Sequence, residues 1–345
     1  MFCINHKSDI VWEAGMERKI TIQDIADMVN VSKSSVSRYL NNGYVSKENA
    51  EKIKLAIEKT GFQTNFFAKR LKTKRSKLIG IVLPRIDSFS VGKLLAGMNR
   101  QLAEHNYQGL ILVSELNVAK ELDNINNLHQ QGVDGIIVNS LAITKRHIEL
   151  IKSLPIPTIF TGQKSEFVNY IKVDDYKAGQ IMGNYVKEKG HKNIVFLGVN
   201  QKDYAVGVER KQGFMDAVTK NNPACNVQFV ETGFSFAKAY EHGSEVLSYQ
   251  PTAVVCATDN ISLGILRYLH EQHIQVPRQV SVAGFGGYDI GTVSYPRLTT
   301  VAFDFELIGE RIAKGISDLI EGKKLILNQA VPLKLIERES MLDLN

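Results

Sequence analysis

The sequence predicts an α/β chain: a small all-α helix-turn-helix head, then two lobes of doubly wound parallel sheet. Three observations predict it. Positive charge is concentrated near the N-terminus, three short amphipathic helical segments lie before and within that basic stretch, and beyond it buried strands alternate with helices in two successive series.

The 345 residues exceed one ordinary domain, and a composition 44% hydrophobic and 23% charged supplies ample core material. The net charge of +6 is unevenly placed: residues 32–77 hold twelve Lys/Arg against Glu48, Glu51 and Glu58, whereas 78–345 carry −1. A nine-charge excess in so short a stretch points to a polyanion partner. No apolar run has the length of a membrane span, the start lacks a basic-then-apolar signal, and Cys3, Cys225 and Cys256 show no metal spacing, so a reduced, cytoplasmic protein without a membrane partner is expected. There is no dinucleotide fingerprint, phosphate loop, nucleophile elbow or clustered His/Asp/Glu set. The expectation is therefore no enzyme, no catalytic residue, no cofactor and no metal.

Residues 1–18 read as a disordered leader. Trp12-Glu13-Ala14 can be encoded by a purine-rich stretch just upstream of the Met16 codon, which makes Met16 the expected start.

The head spans 19–62. Thr21, with Asp24 three residues on, begins a capping-box-like helix whose Ile22, Ile25, Ala26 and Val29 form one face. Asn30-Val31 breaks it. A second helix over Ser32–Leu40 turns Val36, Tyr39 and Leu40 inward and Lys33, Ser34, Ser37, Arg38 and Asn41 outward. Ser46 caps a third helix, Lys47–Lys59, with Ile53, Ala56 and Ile57 on one stripe and Gly61 as its stop. The second helix of such an arrangement enters the DNA major groove. Arg38 has the fork to read a guanine edge, and Ser32, Ser35 and Asn41 suit phosphates. A plain solvated bundle would carry mixed charges on that face, and this one carries no acid. "ITIQDIADMVNVSKSSVSRYLNNGYVS" resembles the head of the lactose-repressor (LacI/GalR) family.

Residues 63–77 are a basic hinge in which Asn65 can cap a short helix, Phe66–Lys72, with Ala68 and Leu71 on one side. The resemblance implies a hinge helix that folds on DNA, with Leu71 wedged into the minor groove beside Ala68 and cations such as Lys69 on phosphates. The family's usual Pro is replaced by Thr64. A flexible tether is the plain alternative.

Residues 78–345 form the effector-binding and dimerisation part. Strands at 78–83, 109–114, 135–139 and 157–160 alternate with helices, then strands at 193–198, 227–231, 253–257 and 280–285 do the same. Two lobes follow, about 78–175 plus 300–345, and 176–299, with a cleft at the carboxyl ends of the strands. "VDDYKAG", "KGHKNIVFLG", "ATDNISLG", "VPRQVSVAGF" and "LIERES" extend the family resemblance through a sensor similar to periplasmic sugar-binding proteins. It implies effector contacts from Asp87, Ser88, Phe89, Phe160, Thr161, Tyr204, Arg210, Phe234, Thr258, Asp259 and Asp289. Arg210 stands out because a lone Arg in a cleft needs an oxygen-rich partner, against the plain reading of a salt-bridge Arg.

Where many relatives carry Asp-Asp, this chain has Gly286-Gly287 and then Tyr288-Asp289. "LPRIDSFSV", "GFGGYD" and "NNGYVS" most resemble sucrose-operon repressors of Gram-positive bacteria. The implied function is a homodimeric repressor that binds palindromic operator DNA and is released by a small sugar such as sucrose or fructose. A catabolite regulator controlled by a phosphoprotein partner, or a sugar-binding protein without a DNA function, are the alternatives.

Overall fold

The computed structural model describes residues 20–40, 43–62, 75–220, 224–325 and 331–345. The chain divides into two compact units, Met1–Arg75 and Ser76–Asn345. The expected leader, Asn41, and the hinge residues Asn65, Ala68, Lys69 and Leu71 lie outside the described residues.

In the first unit, three helices pack around one small core: α1 (Ile22–Met28), α2 (Lys33–Leu40) and α3 (Lys47–Thr60). Thr21 closes a full capping box with Asp24 at the start of α1. Asn30, at φ 51°, makes the left-handed turn toward α2, a conformation Asn tolerates because its short polar side chain bonds locally. Ser46 caps α3, and Gly61, at φ 61°, ends it. Ile25, Ala26, Val36, Ile53, Ala56 and Phe62 fill the interior, with Val31 packed against them under the turn.

The second unit begins with β1 (Leu78–Leu83), α4 (Phe89–Glu104), β2 (Gln108–Val113), α5 (Val118–Gln130), β3 (Gly135–Asn139), α6 (Lys145–Ser153), β4 (Thr158–Thr161) and β5 (Asn169–Tyr170). It continues with α7 (Asp175–Glu188), β6 (Asn193–Gly198), a π-helical turn (Tyr204–Arg210) leading into α8 (Lys211–Thr219), and β7 (Asn226–Glu231). Then come α9 (Phe236–Glu241), α10 (Gly243–Ser248), β8 (Ala253–Cys256), α11 (Asp259–Glu271), β9 (Ser281–Gly286), α12 (Ile290–Val293), β10 (Thr299–Phe303), α13 (Phe305–Ile320) and β11 (Leu333–Ile336).

These strands make two sheets, ordered β2-β1-β3-β4-β5 and β11-β10-β9-β8-β6-β7. All described pairings are parallel except β10–β11. The central strands are buried along almost their whole length, as sheets covered by helices on both faces must be.

One expected boundary is corrected. Residues 300–345 do not return to the first lobe as a block. Thr299–Ala302 pair with Ala283–Gly286, and β11 adds to β10, so both strands extend the second sheet. Among the described elements of this stretch, α13 is the one that crosses back. Its Ile308, Ile312 and Ile316 join the first lobe's core with Leu94 and Met98 of α4. The crossing is intimate: a Cβ on Gly97 would lie 2.0 Å from the Glu306 carbonyl oxygen, and one on Gly309 would lie 2.1 Å from that of Leu94. Any larger residue at either glycine would push the two helices apart. Val173 and Phe305 pack against the cores of both lobes and mark two of the crossovers between them.

Candidate functional site

Two surfaces carry candidate chemistry, one on each unit. On α2, Lys33, Ser34 and Arg38 are exposed, while Ser35 and Ser37 are half-buried. The helix contains no acid. The Ser32 hydroxyl sits 2.8 Å from that of Ser34 and 2.9 Å from that of Ser35, and accepts the Ser35 N–H at 3.2 Å. It thereby caps α2 at the same end that Lys33 makes more positive. A cation at a helix N-terminus is unfavourable without an anion nearby, so this end is electrostatically unfinished in the chain alone. Arg38 donates its Nε–H to the Ser34 carbonyl at 3.3 Å, which lays the guanidinium along the exposed face. Thr21 is committed to the α1 cap, its hydroxyl donating to Asp24 Oδ2 at 2.7 Å.

In the second unit, a cavity of about 180 Å³ opens between the lobes at the carboxyl ends of the strands. Ser88, Thr161, Arg210, Phe234 and Thr258 line it. Arg210 is 7% exposed. Its Nη2 and Nε donate to Asp175 Oδ1 at 2.5 and 3.1 Å, and its Nη1 donates to the Ala257 carbonyl at 2.6 Å. The guanidinium carbon stands 5.2 Å from the Phe285 ring centroid and 4.9 Å from that of Phe303. The cation is thus neutralised, hydrogen-bonded and flanked by aromatic faces, as a buried Arg must be. Both readings of Arg210 hold at once: it is in the cleft and in a salt bridge.

Other expected contacts lie off the cavity wall. Phe160 is fully buried on the far face of the first sheet, because neighbouring strand residues point to opposite faces and its successor Thr161 takes the cleft side. Asp87 and Asp289 project into solvent, with side chains 78% and 75% exposed, pairing loosely with Arg85 and Lys93 at 3.7 Å. Tyr204 is 49% exposed, and its backbone N–H donates to the Leu141 carbonyl of the first lobe at 3.4 Å. Phe89 stands behind the wall, its ring 4.8 Å from that of Tyr288. Asp259 is fully buried and faces inward, accepting the Tyr288 N–H and the Thr300 hydroxyl, each at 2.7 Å. Burial pushes its carboxyl up to about 6, opposed by those same hydrogen bonds.

The wall also holds residues that the sequence reading does not select as sites: Arg85, Ser90, Gln163, Asp175, Asp203 and Tyr288. Arg85 and Gln163 each lie two residues past a strand end, so the carboxyl-end rule applied uniformly finds them. Gln163 is 4% exposed and its side chain has no hydrogen-bond partner among the described residues. Arg85 stacks 5.0 Å from the Phe234 centroid, linking the two lobes across the opening. Asp203 caps the π-helical turn through the Val206 N–H at 3.0 Å, and burial raises its carboxyl above the ordinary range. Ser140 is anchored from behind by buried Glu121 at 2.6 Å, which also meets His147 Nε2 at 2.8 Å. Since His147 Nδ1 accepts the Thr144 N–H at 3.1 Å, the imidazole proton sits on Nε2.

The arrangement suits binding. Neither surface brings a nucleophile, base and oxyanion donors together, and no group of His, Cys, Asp and Glu that could hold a metal occurs among the described residues. No described helix is long and apolar enough to cross a membrane.

Comparison with known proteins places both parts. Residues 21–65 match the model of bacterial regulatory proteins of the lacI family, and residues 184–341 match that of a periplasmic binding protein-like domain. The chain is 33% identical over 302 residues to the sucrose operon repressor of Staphylococcus xylosus, covering 87% of this chain and 93% of that one. It is 32% identical to the transcriptional regulator RegA of Clostridium acetobutylicum, covering 93% and 98%. Among solved structures, the lac repressor dimer bound to operator and an anti-inducer superposes with a TM-score of 0.86 at 23% identity, covering 94% of this chain and all of that one. A lacI-family regulator from Enterococcus faecium with bound ribose gives a TM-score of 0.70 at 25% identity, covering 78% and 100%. With its three-helix head and two-lobed sensor, the chain belongs to the lacI family of bacterial transcription regulators.

Proposed function

We propose that this regulator represses a sugar-utilisation operon, binding a palindromic operator as a homodimer and letting go when a small sugar enters the cleft. The observation that carries the sugar reading is the cavity wall. Hydrogen-bonding groups, buried (Gln163, the Arg210–Asp175 pair) or half-buried (Asp203), stand beside the aromatic faces of Phe234, Phe285 and Tyr288. Sugars present the same alternation of hydroxyl rims and apolar ring faces. The kinship with a sucrose operon repressor supports the sugar class, and a lac repressor dimer on operator supports dimeric DNA binding.

Size narrows the ligand. About 180 Å³ is below the ~300–1,000 Å³ of pockets that enclose drug-sized ligands. The closed cleft therefore suits a monosaccharide such as fructose, and a disaccharide requires the lobes to part. Melting temperatures of the full chain across a panel of fructose, glucose, ribose and sucrose test this. Differential binding raises the melting temperature by mass action. A shift with fructose at lower concentration than with sucrose is expected, and no shift with any sugar overturns the reading.

A further inference from the structure

Gly286 ends β9 and Gly287 follows it, and the backbone there shows what the pair does. Gly286 has φ 138° and Gly287 has φ 71°. A Cβ on Gly286 would sit 2.4 Å from the Tyr288 ring, and one on Gly287 would sit 2.5 Å from the Ala302 Cβ. The chain can make this turn only with glycine at both places. Its effect is to fold the Tyr288 ring back over Gly286 and into the cleft.

There the ring is held from both lobes. Its own backbone N–H is pinned by buried Asp259 in the second lobe, at 2.7 Å. Its face meets Phe89, the first residue of α4 in the first lobe, at 4.8 Å, and Phe305 at the crossover, at 6.2 Å between centroids. Lys93 reaches from α4 toward the neighbouring Asp289 at 3.7 Å. Tyr288 is 5% exposed yet lines the cavity, so what exposure it keeps faces the ligand space.

We infer that Tyr288 is the specificity-determining residue of this cleft: it gives the ligand space an aromatic wall, and its seat against Phe89 makes the same side chain the rivet that closes the lobes. This rests on the sugar reading for its specificity half, while closure stands apart from it. A ligand that fits beneath the ring keeps the rivet seated. A larger one has to unseat it, so size selection and lobe position are set by one contact.

The test uses the full chain. Tyr288→Ala removes the ring, Tyr288→Phe keeps it, and Gly287→Ala displaces it through the backbone without touching it. Closure is read without ligand, as the distance distribution between spin labels at Lys145 and Lys238, one on each lobe, in a background with Cys3 and Cys225 changed to serine. Selectivity is read as the ratio of fructose to sucrose concentrations that half-release operator DNA. Wild type and Tyr288→Phe should give one short distance, whereas Tyr288→Ala and Gly287→Ala should lengthen and broaden it and shift the ratio at least tenfold toward sucrose. Circular dichroism and retained operator binding show that each variant is folded. A short wild-type-like distance in Tyr288→Ala overturns the closing role, and an unchanged ratio overturns the specificity role. If the wild type ignores every sugar while Tyr288→Ala still opens, the sugar reading fails and the rivet stands.

Discussion

Arg38 and Arg210 are the same side chain put to opposite uses. Arg38 lies exposed on an acid-free helix face, with one hydrogen bond to its own backbone turn and no ion pair among the described residues. Arg210 is buried, gives three hydrogen bonds and lies between two phenylalanine rings. The first has most of its donors without a partner among the described residues. The second has spent them on holding Asp175 and the Ala257 carbonyl in place. The contrast teaches that the proposed reading arginine of the head is open to another molecule, whereas the one in the cleft is first of all a strut for the wall that a sugar is proposed to touch.

The largest expected effect breaks the strut. Arg210→Ala leaves the Asp175 carboxylate buried at 5% exposure without its partner, which costs about 3–5 kcal/mol of stability. Thermal unfolding should show the loss, and sugar should no longer release the operator. Unchanged stability would mean that the pair is not closed in solution.

The next effect is pH-dependent and arises just behind the cleft wall. Burial raises the Asp259 carboxyl from its ordinary 3.8 to about 6 in the folded state. The folded state therefore holds that proton more tightly than the unfolded chain. The stability it contributes is full below the ordinary carboxylate value and is lost as pH rises through about 6. Relative to Asp259→Asn, the wild type should lose roughly 3 kcal/mol between pH 4 and pH 7, since holding one proton across each pH unit is worth about 1.4 kcal/mol. Denaturant titrations at a series of pH values check it, and a flat difference would contradict the burial of this carboxyl.

The smallest effect falls on Arg38. Arg38→Ala should leave stability unchanged, since the side chain is exposed, and cost about 1–3 kcal/mol of operator affinity, concentrated at one symmetric base pair. Binding to a set of duplexes varied one position at a time checks this. Equal loss on every duplex would make Arg38 a phosphate contact.

The two regions are also unequally legible in the sequence. The head's chemistry lies on neighbouring residues of one helix, so spacing alone locates α2 and the exposure of Lys33, Ser34 and Arg38, while Ser37 is half-buried and Asn41 lies outside the described residues. The cleft is assembled from many separate loops, and there periodicity finds the strands but not which end residue turns inward. Phe160 and Thr161 differ by one position and face opposite ways. Asp259 starts a helix like many capping acids, yet it pins a loop from a distant part of the chain. Helix α13 escapes the sequence reading although its Ile308, Ile312 and Ile316 repeat every four residues. The family resemblance draws attention to the strands on either side of it, and those strands belong to the other sheet.

The most direct test is thermal unfolding of the full chain and the two arginine variants, each with and without a palindromic duplex selected from a random library. Operator should raise the wild-type midpoint by mass action. Arg38→Ala should melt like the wild type without DNA and gain little from it, whereas Arg210→Ala should melt lower without DNA and still gain from it. If Arg38→Ala melts lower alone, or Arg210→Ala loses its gain from DNA, the division between a reading arginine and a structural one is wrong.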